Sequence, residues 1–223
     1  MNRQTPPEAA PNCPLCPRLA AYREENRRLE PKWFNGAAPS FGDPKARLLI
    51  VGLAPGRTGA NRTGRPFTGD YAGDLLYGTL LKLGLASGVY GADPADGLTL
   101  SDVMITNAVR CAPPENKPTP AEIATCRPFL GARIAALPSM RAILALGAIA
   151  HESVLRAHDM KPSAAKFGHG AEALLPGGRR LFSSYHCSRY NTQTHRLTAV
   201  MFEDVMRRAQ AFAQGRDPPE TAV

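Results

Sequence analysis

Four short runs of the chain are almost wholly apolar, and four longer stretches repeat their apolar residues at helical spacing. The runs are Ala46–Ala54 (ARLLIVGLA), Asp102–Arg110 (DVMITNAVR), Arg141–Gly147 (RAILALG) and Arg179–Tyr185 (RRLFSSY). Apolar runs this short and continuous suit strands covered on both faces. Helices are predicted over Tyr71–Leu83, Pro120–Ala136, Ile149–Ala157 and Thr194–Phe212. Leu75, Leu76, Thr79, Leu80 and Leu83 put one stripe on the first, and Pro120 with Glu122 marks the start of the second. Strands alternating with helices imply a three-layer α/β/α sandwich around a central four-stranded parallel sheet. In such sheets ligands bind beyond the carboxyl ends of the strands. Here those ends fall just after Ala54, around Asn107, after Gly147 and at His186.

Length and composition narrow the picture. The 223 residues suffice for one domain with a sizeable core, expected over residues 12–212. Residues 1–11 and 213–223 are polar and rich in proline, and are expected to be flexible tails. With 43% apolar and 21% charged residues, the chain is neither disordered nor fibrous. No apolar stretch is long enough to span a bilayer. The opening MNRQTPPEAAPNC has no apolar leader core, so a cytoplasmic monomer is expected. Lys and Arg number 27 against 19 Asp and Glu, a net charge of +8 that makes a polyanion the first partner to consider.

The five cysteines are spaced for ligation rather than for disulfides. Cys13 and Cys16 form a C-x2-C pair, Cys111 and Cys126 lie near prolines, and Cys187 stands apart after His186. Four thiolates without paired histidines suit either a zinc ion or a [4Fe–4S] cluster, and spacing alone leaves both open.

The first strand runs into Gly52-Leu53-Ala54-Pro55-Gly56-Arg57-Thr58. A phosphate-binding P-loop is excluded, because Val51 stands where its first glycine belongs and Arg57 where its lysine belongs. Read together with the following Gly59–Asp70, this segment resembles the active-site loop of the iron–sulfur uracil-DNA glycosylases, most closely their family 5. Asn107 in ITNAVRCAPPENKPTP, the stretch RAILALGAIA and His186 in HCSRYNTQTHRLT extend the resemblance from Cys13 to Thr198.

The resemblance implies a monofunctional DNA-repair glycosylase that hydrolyses the N-glycosidic bond of uracil, and of other deaminated bases such as hypoxanthine. It assigns Cys13, Cys16, Cys111 and Cys126 to a [4Fe–4S] cluster and leaves Cys187 out. A base taken from the duplex must regain its stacking and hydrogen bonds in the pocket. Phe67 offers a stacking face; Asn107, with an amide donor and acceptor, matches a pyrimidine carbonyl and ring N–H together. Gly52 and Ala54 are expected to border the base. His186 is expected to stabilise the departing base anion. Asp70 is the carboxylate expected to orient water or stabilise the sugar cation. Asp74 competes with it, although helix capping or solvation suits Asp74 better. Arg57, Arg62 and Arg65 are expected on phosphates, and Ser188, Arg189, Tyr190 and Asn191 on a loop entering the duplex. A metal-cluster module that binds nucleic acid without catalysis is the competing expectation.

Overall fold

The apolar runs become parallel strands in the middle of one sheet, as a computed structural model describing residues 5–216 shows. In chain order the elements are α1 (Pro17–Leu29), β1 (Phe41–Gly42), β2 (Leu48–Gly52), α2 (Ala60–Thr63) and α3 (Tyr71–Lys82). A short hairpin, β3 (Ala86–Ser87) and β4 (Thr99–Leu100), precedes β5 (Val103–Asn107) and α4 (Pro120–Ala135). Then come β6 (Ala142–Leu146), α5 (Ala148–Ala157), β7 (Glu172–Leu174), β8 (Arg180–Ser184), α6 (Arg189–Gln193) and α7 (Ala199–Ala213). The sheet order is β1-β5-β2-β6-β8-β7. Its four central strands are parallel, and the edges are closed by short antiparallel strands that the apolar pattern does not reveal.

The alternation of side chains across the sheet explains the three layers. Leu48, Ile50, Val103, Ile105, Ala142, Leu144 and Phe182 point to one face, where α3 and α7 cover them with Leu76, Leu80, Phe202 and Met206. Leu49, Val51, Met104, Ile143, Ala145 and Leu181 point to the other, under Leu130 and Ile134 of α4 and Val154 of α5. At the start of α4, Thr119 Oγ1 accepts the Glu122 amide while Glu122 Oε2 accepts the Thr119 amide, a reciprocal cap with Pro120 in the first turn. Glu122 also takes Arg18 of α1 at 2.8 Å, tying the N-terminal helix to α4. Among the described residues no helix is long and apolar enough to cross a membrane.

Three expectations change. The N-terminal tail is held from Pro7 onward: Arg110 donates to the Pro7 carbonyl at 3.1 Å, the Glu8 carboxylate pairs with the same buried arginine at 2.9 Å and with Arg133, and Ala9 is buried. The helix expected over Thr194–Phe212 starts only at Ala199, because His195 takes a left-handed φ of +55 and Thr198 caps the start by accepting the Met201 amide, while the separate short α6 precedes it. The helix α1 carries its charges nearly all round, so it has no apolar stripe to announce it. Of the expected C-terminal tail, Ala213 closes α7 and residues 217–223 lie outside the described range.

Candidate active site

Strands β2 and β5 end side by side, with Gly52 opposite Asn107. A Cβ at Gly52 would stand 2.5 Å from Asn107 Oδ1 and 2.7 Å from Phe67 Cζ, so only glycine leaves room for both side chains. Phe67 itself is buried with a φ of +55. A bulky residue there stores strain of roughly 1–3 kcal/mol and persists only where its surroundings impose it. The Phe67 ring faces the His186 imidazole, with centroids 5.9 Å apart and planes 28° from parallel. Phe67, Asn107 and His186, with Ala54 but not Gly52, wall a cavity of about 460 Å3, the size of a small-ligand site.

Asp70 occupies the head of α3, where its Oδ1 accepts the Gly73 amide at 3.2 Å. Its Oδ2 turns to the loop: a Cβ on Gly59 would lie 2.4 Å from it, and one on Gly56 3.5 Å. Burial raises the Asp70 carboxyl above its ordinary value, and the helix-head amides only partly oppose this. Asp74 is exposed and outside the cavity lining. Asn116, not singled out in the sequence, also lines the cavity and turns its Oδ1 toward Gly56. It follows Glu115, and both have left-handed φ, 55 and 58, a conformation that nothing in a Pro-rich loop announces.

His186 lies beyond the end of β8, and burial lowers its pKa, leaving a neutral imidazole at neutral pH. Its carbonyl accepts Asn191 Nδ2 at 2.8 Å, so Asn191, expected on DNA, turns inward and fixes the His186 backbone. Ser188 lines the cavity and caps α6 by accepting the Asn191 amide. Arg189 lies over the Tyr71 ring at the cavity rim, and Tyr190 beside it is 70% exposed.

The three loop arginines separate. Arg57 lines the cavity, donates through Nε to Asn26 Oδ1 at 2.7 Å and covers Trp33. Arg62 is exposed on α2, donating to the Thr58 carbonyl. Arg65, expected on phosphates, is 4% exposed and locked to Asp96 by two bonds of 2.8 and 2.7 Å, among the rings of Phe41, Tyr77 and Tyr90. A guanidinium already paired with a buried carboxylate has no charge left for DNA.

Cys13, Cys16, Cys111 and Cys126 line one small hollow between α1, α4 and the chain after β5. Arg23 Nη1 donates to Cys111 Sγ at 3.6 Å, and the Arg110 amide to Cys126 Sγ at 3.3 Å. Burial pushes the Cys111 and Cys126 thiols up to about 11. Among the described residues no three His, Cys, Asp or Glu side chains are grouped as ligands of a single metal ion. Cys187 is fully buried elsewhere, in the core beneath α7.

The same stretch of chain matches the model of the Uracil DNA glycosylase superfamily over residues 39–210, from β1 through α7. The chain belongs to that superfamily. A type-5 uracil-DNA glycosylase of Thermus thermophilus is 48% identical over 219 residues, covering 96% of this chain and 99% of that protein. One of Mycobacterium bovis is 45% identical, covering 90% of this chain and 78% of its own. One of Pyrobaculum aerophilum is 41% identical, covering 91% and 89%. These matches put the chain among the type-5 members of the superfamily. The superfamily match begins after α1, so the cysteine pair Cys13 and Cys16 lies outside it, while the Thermus relative matches nearly the whole chain.

Proposed function

We propose that this protein is a DNA-repair glycosylase that removes uracil, and also other deaminated bases such as hypoxanthine, leaving an abasic site in an intact strand. The observation that carries this reading is the meeting of Phe67, Asn107 and His186 around one cavity at the strand ends, with Gly52 behind Phe67 and Asn107 leaving room for both. Among the described residues the Asn107 side chain has no hydrogen-bond partner, and its amide stands ready for a base edge. Uracil presents a carbonyl beside a ring N–H; cytosine does not, and would leave the buried amide mispaired. Phe67 supplies the stacking face that offsets the few kcal/mol of unstacking.

Bond cleavage leaves positive charge on the sugar and negative charge on the base. The neutral His186 imidazole donates a hydrogen bond to the base carbonyl as the anion forms. Asp70 Oδ2 and Asn116 Oδ1, both turned to Gly56, hold the attacking water between them and take up its proton at Asp70. No side chain of Leu53, Ala54 or Pro55 accepts a proton, which leaves that task to Asp70, the one carboxylate of the lining among the described residues, while help to the departing base favours a broad range of deaminated bases. Among the described residues the cavity lining has no lysine to attack the sugar, which supports a monofunctional reaction.

The four cysteines fit a [4Fe–4S] cluster: they share one hollow, and N–H donors from Arg23 and the Arg110 backbone meet two of the sulfurs. A cluster is larger than one ion, so its ligands need not converge on a point. Bound there, it would tie α1 to α4 as a structural cross-link.

Incubating the protein with a duplex holding one uracil, then heating in alkali, should cut the strand at that position; without alkali the strand stays whole. No scission with a properly folded protein overturns the enzyme reading and leaves the non-catalytic module.

A further inference from the structure

We propose that Tyr90 is a positioning residue for base recognition: its hydroxyl holds the Phe67 carbonyl, and with it the ring on which the extrahelical base stacks. The inference rests on reading the cavity as the base site. Tyr90 Oη donates to Phe67 O at 3.1 Å, and Tyr77 Oη donates to the preceding Pro66 O at 2.6 Å. Thr63 Oγ1 donates to Thr68 O at 3.0 Å and Arg65 Nε to Thr68 Oγ1 at 2.7 Å, so the chain is gripped on both sides of Phe67. That grip matters because Phe67 has a left-handed φ of +55. Relaxing it would carry the ring away from Gly52, Asn107 and His186.

Two further features serve the same bond. A Cβ at Gly73 would lie 2.0 Å from Phe67 O and 2.3 Å from Tyr90 Oη, so glycine there leaves room for the hydroxyl to reach the carbonyl. Asp96, besides taking Arg65, accepts the Gly91 and Leu98 amides at 2.9 Å and so closes the loop that carries Tyr90. The Tyr90 ring stacks on Tyr77 with centroids 4.6 Å apart. Tyr90 is not part of the cavity lining; it reaches the base only through Phe67.

Tyr90→Phe deletes the hydroxyl and keeps the ring on Tyr77. Two duplexes separate positioning from general damage: one with 2′-fluorodeoxyuridine, whose glycosidic bond resists hydrolysis, and one with a tetrahydrofuran abasic site that has no base to stack. The variant should bind the first about threefold to tenfold more weakly than wild type, the span of one net hydrogen bond, and bind the second as wild type does. In a Phe67→Leu background, Tyr90→Phe should cost nothing more. Equal losses on both duplexes, no loss on either, a full additional loss beside Phe67→Leu, or a variant that fails to fold would each overturn the proposal. A wild-type protein that fails to release uracil would instead sink the functional reading, which the same preparation reports separately.

Discussion

Asp70 turns its two oxygens different ways: Oδ1 takes the Gly73 amide at the head of α3, while Oδ2 lies against the loop of Gly56 and Gly59. Burial raises its folded pKa above the unfolded value, so the folded state prefers the protonated carboxyl. The stability this gives is full below the unfolded value and is lost as pH rises through the folded value. At neutral pH the ionised Asp70 is therefore a cost to the fold. Asn caps a helix as well as Asp does, so Asp70→Asn should keep or raise the thermal midpoint at neutral pH, with the difference vanishing in acid. The same change should lower the single-turnover rate by about 10²–10⁴-fold, the usual range for a positioned acid or base. It should also abolish an acid limb that lies above the ordinary carboxylate value of about 3.9. An unchanged rate shows that another group handles the water. Other residues of the site were readable by type but not by role. Asn191 sits in a motif that suggested DNA, yet its amide is spent on the His186 carbonyl; sequence gives the amide and not its direction. Arg65 differs from Arg62 only in the company that folding gives it.

At the level of elements, the parallel core was legible because continuous apolar runs have few other uses, and the strand ends that carry Gly52 and Asn107 followed from it. The missed elements share a physical cause. Edge strands β1 and β7 are two and three residues long, and α1 lacks an apolar stripe because tertiary partners hold its polar side chains. Arg23 reaches Cys111, and Asn26 reaches Arg57. After α1, Asn35 and Asn61 exchange backbone and amide bonds, and Trp33 lies beneath the Arg57 guanidinium at 4.9 Å. One polar clasp thus runs from the cysteine hollow to the rim of the cavity. If the hollow holds the proposed cluster, the protein should be brown, and removing the iron or replacing Cys126 by Ser should bleach it, shift the emission of its single tryptophan to the red and loosen the Arg57 wall. A colourless preparation with unaltered emission and activity shows that α1 and the clasp stand without the cluster.

Over the whole molecule the net charge of +8 already counts the acids, so ion pairing leaves it unchanged and decides only which cations stand unpaired. Arg47 pairs with Asp102, Arg65 with Asp96, Arg110 and Arg133 with Glu8, and Arg208 with Glu172. Among the described residues, Arg57, Arg62 and Arg189 have no acidic partner, and Arg57 and Arg189 both line the cavity at the strand ends. Phosphates held by such groups release counterions, so affinity falls with salt by about 0.9 in the log–log slope for each contact. Arg62→Ala should therefore flatten the slope of duplex binding by about one contact and leave the discrimination between uracil and cytosine intact. Arg65→Ala should do the opposite. It breaks an ion pair whose members are 4% and 6% exposed, stranding the Asp96 carboxylate, which that arginine holds well below its ordinary range. Its cost, about 3–5 kcal/mol, should appear in the thermal midpoint while the salt slope of the surviving folded protein stays that of wild type. A salt slope that changes with Arg65 and not with Arg62 reverses the assignment and places the phosphates on the other side of the loop.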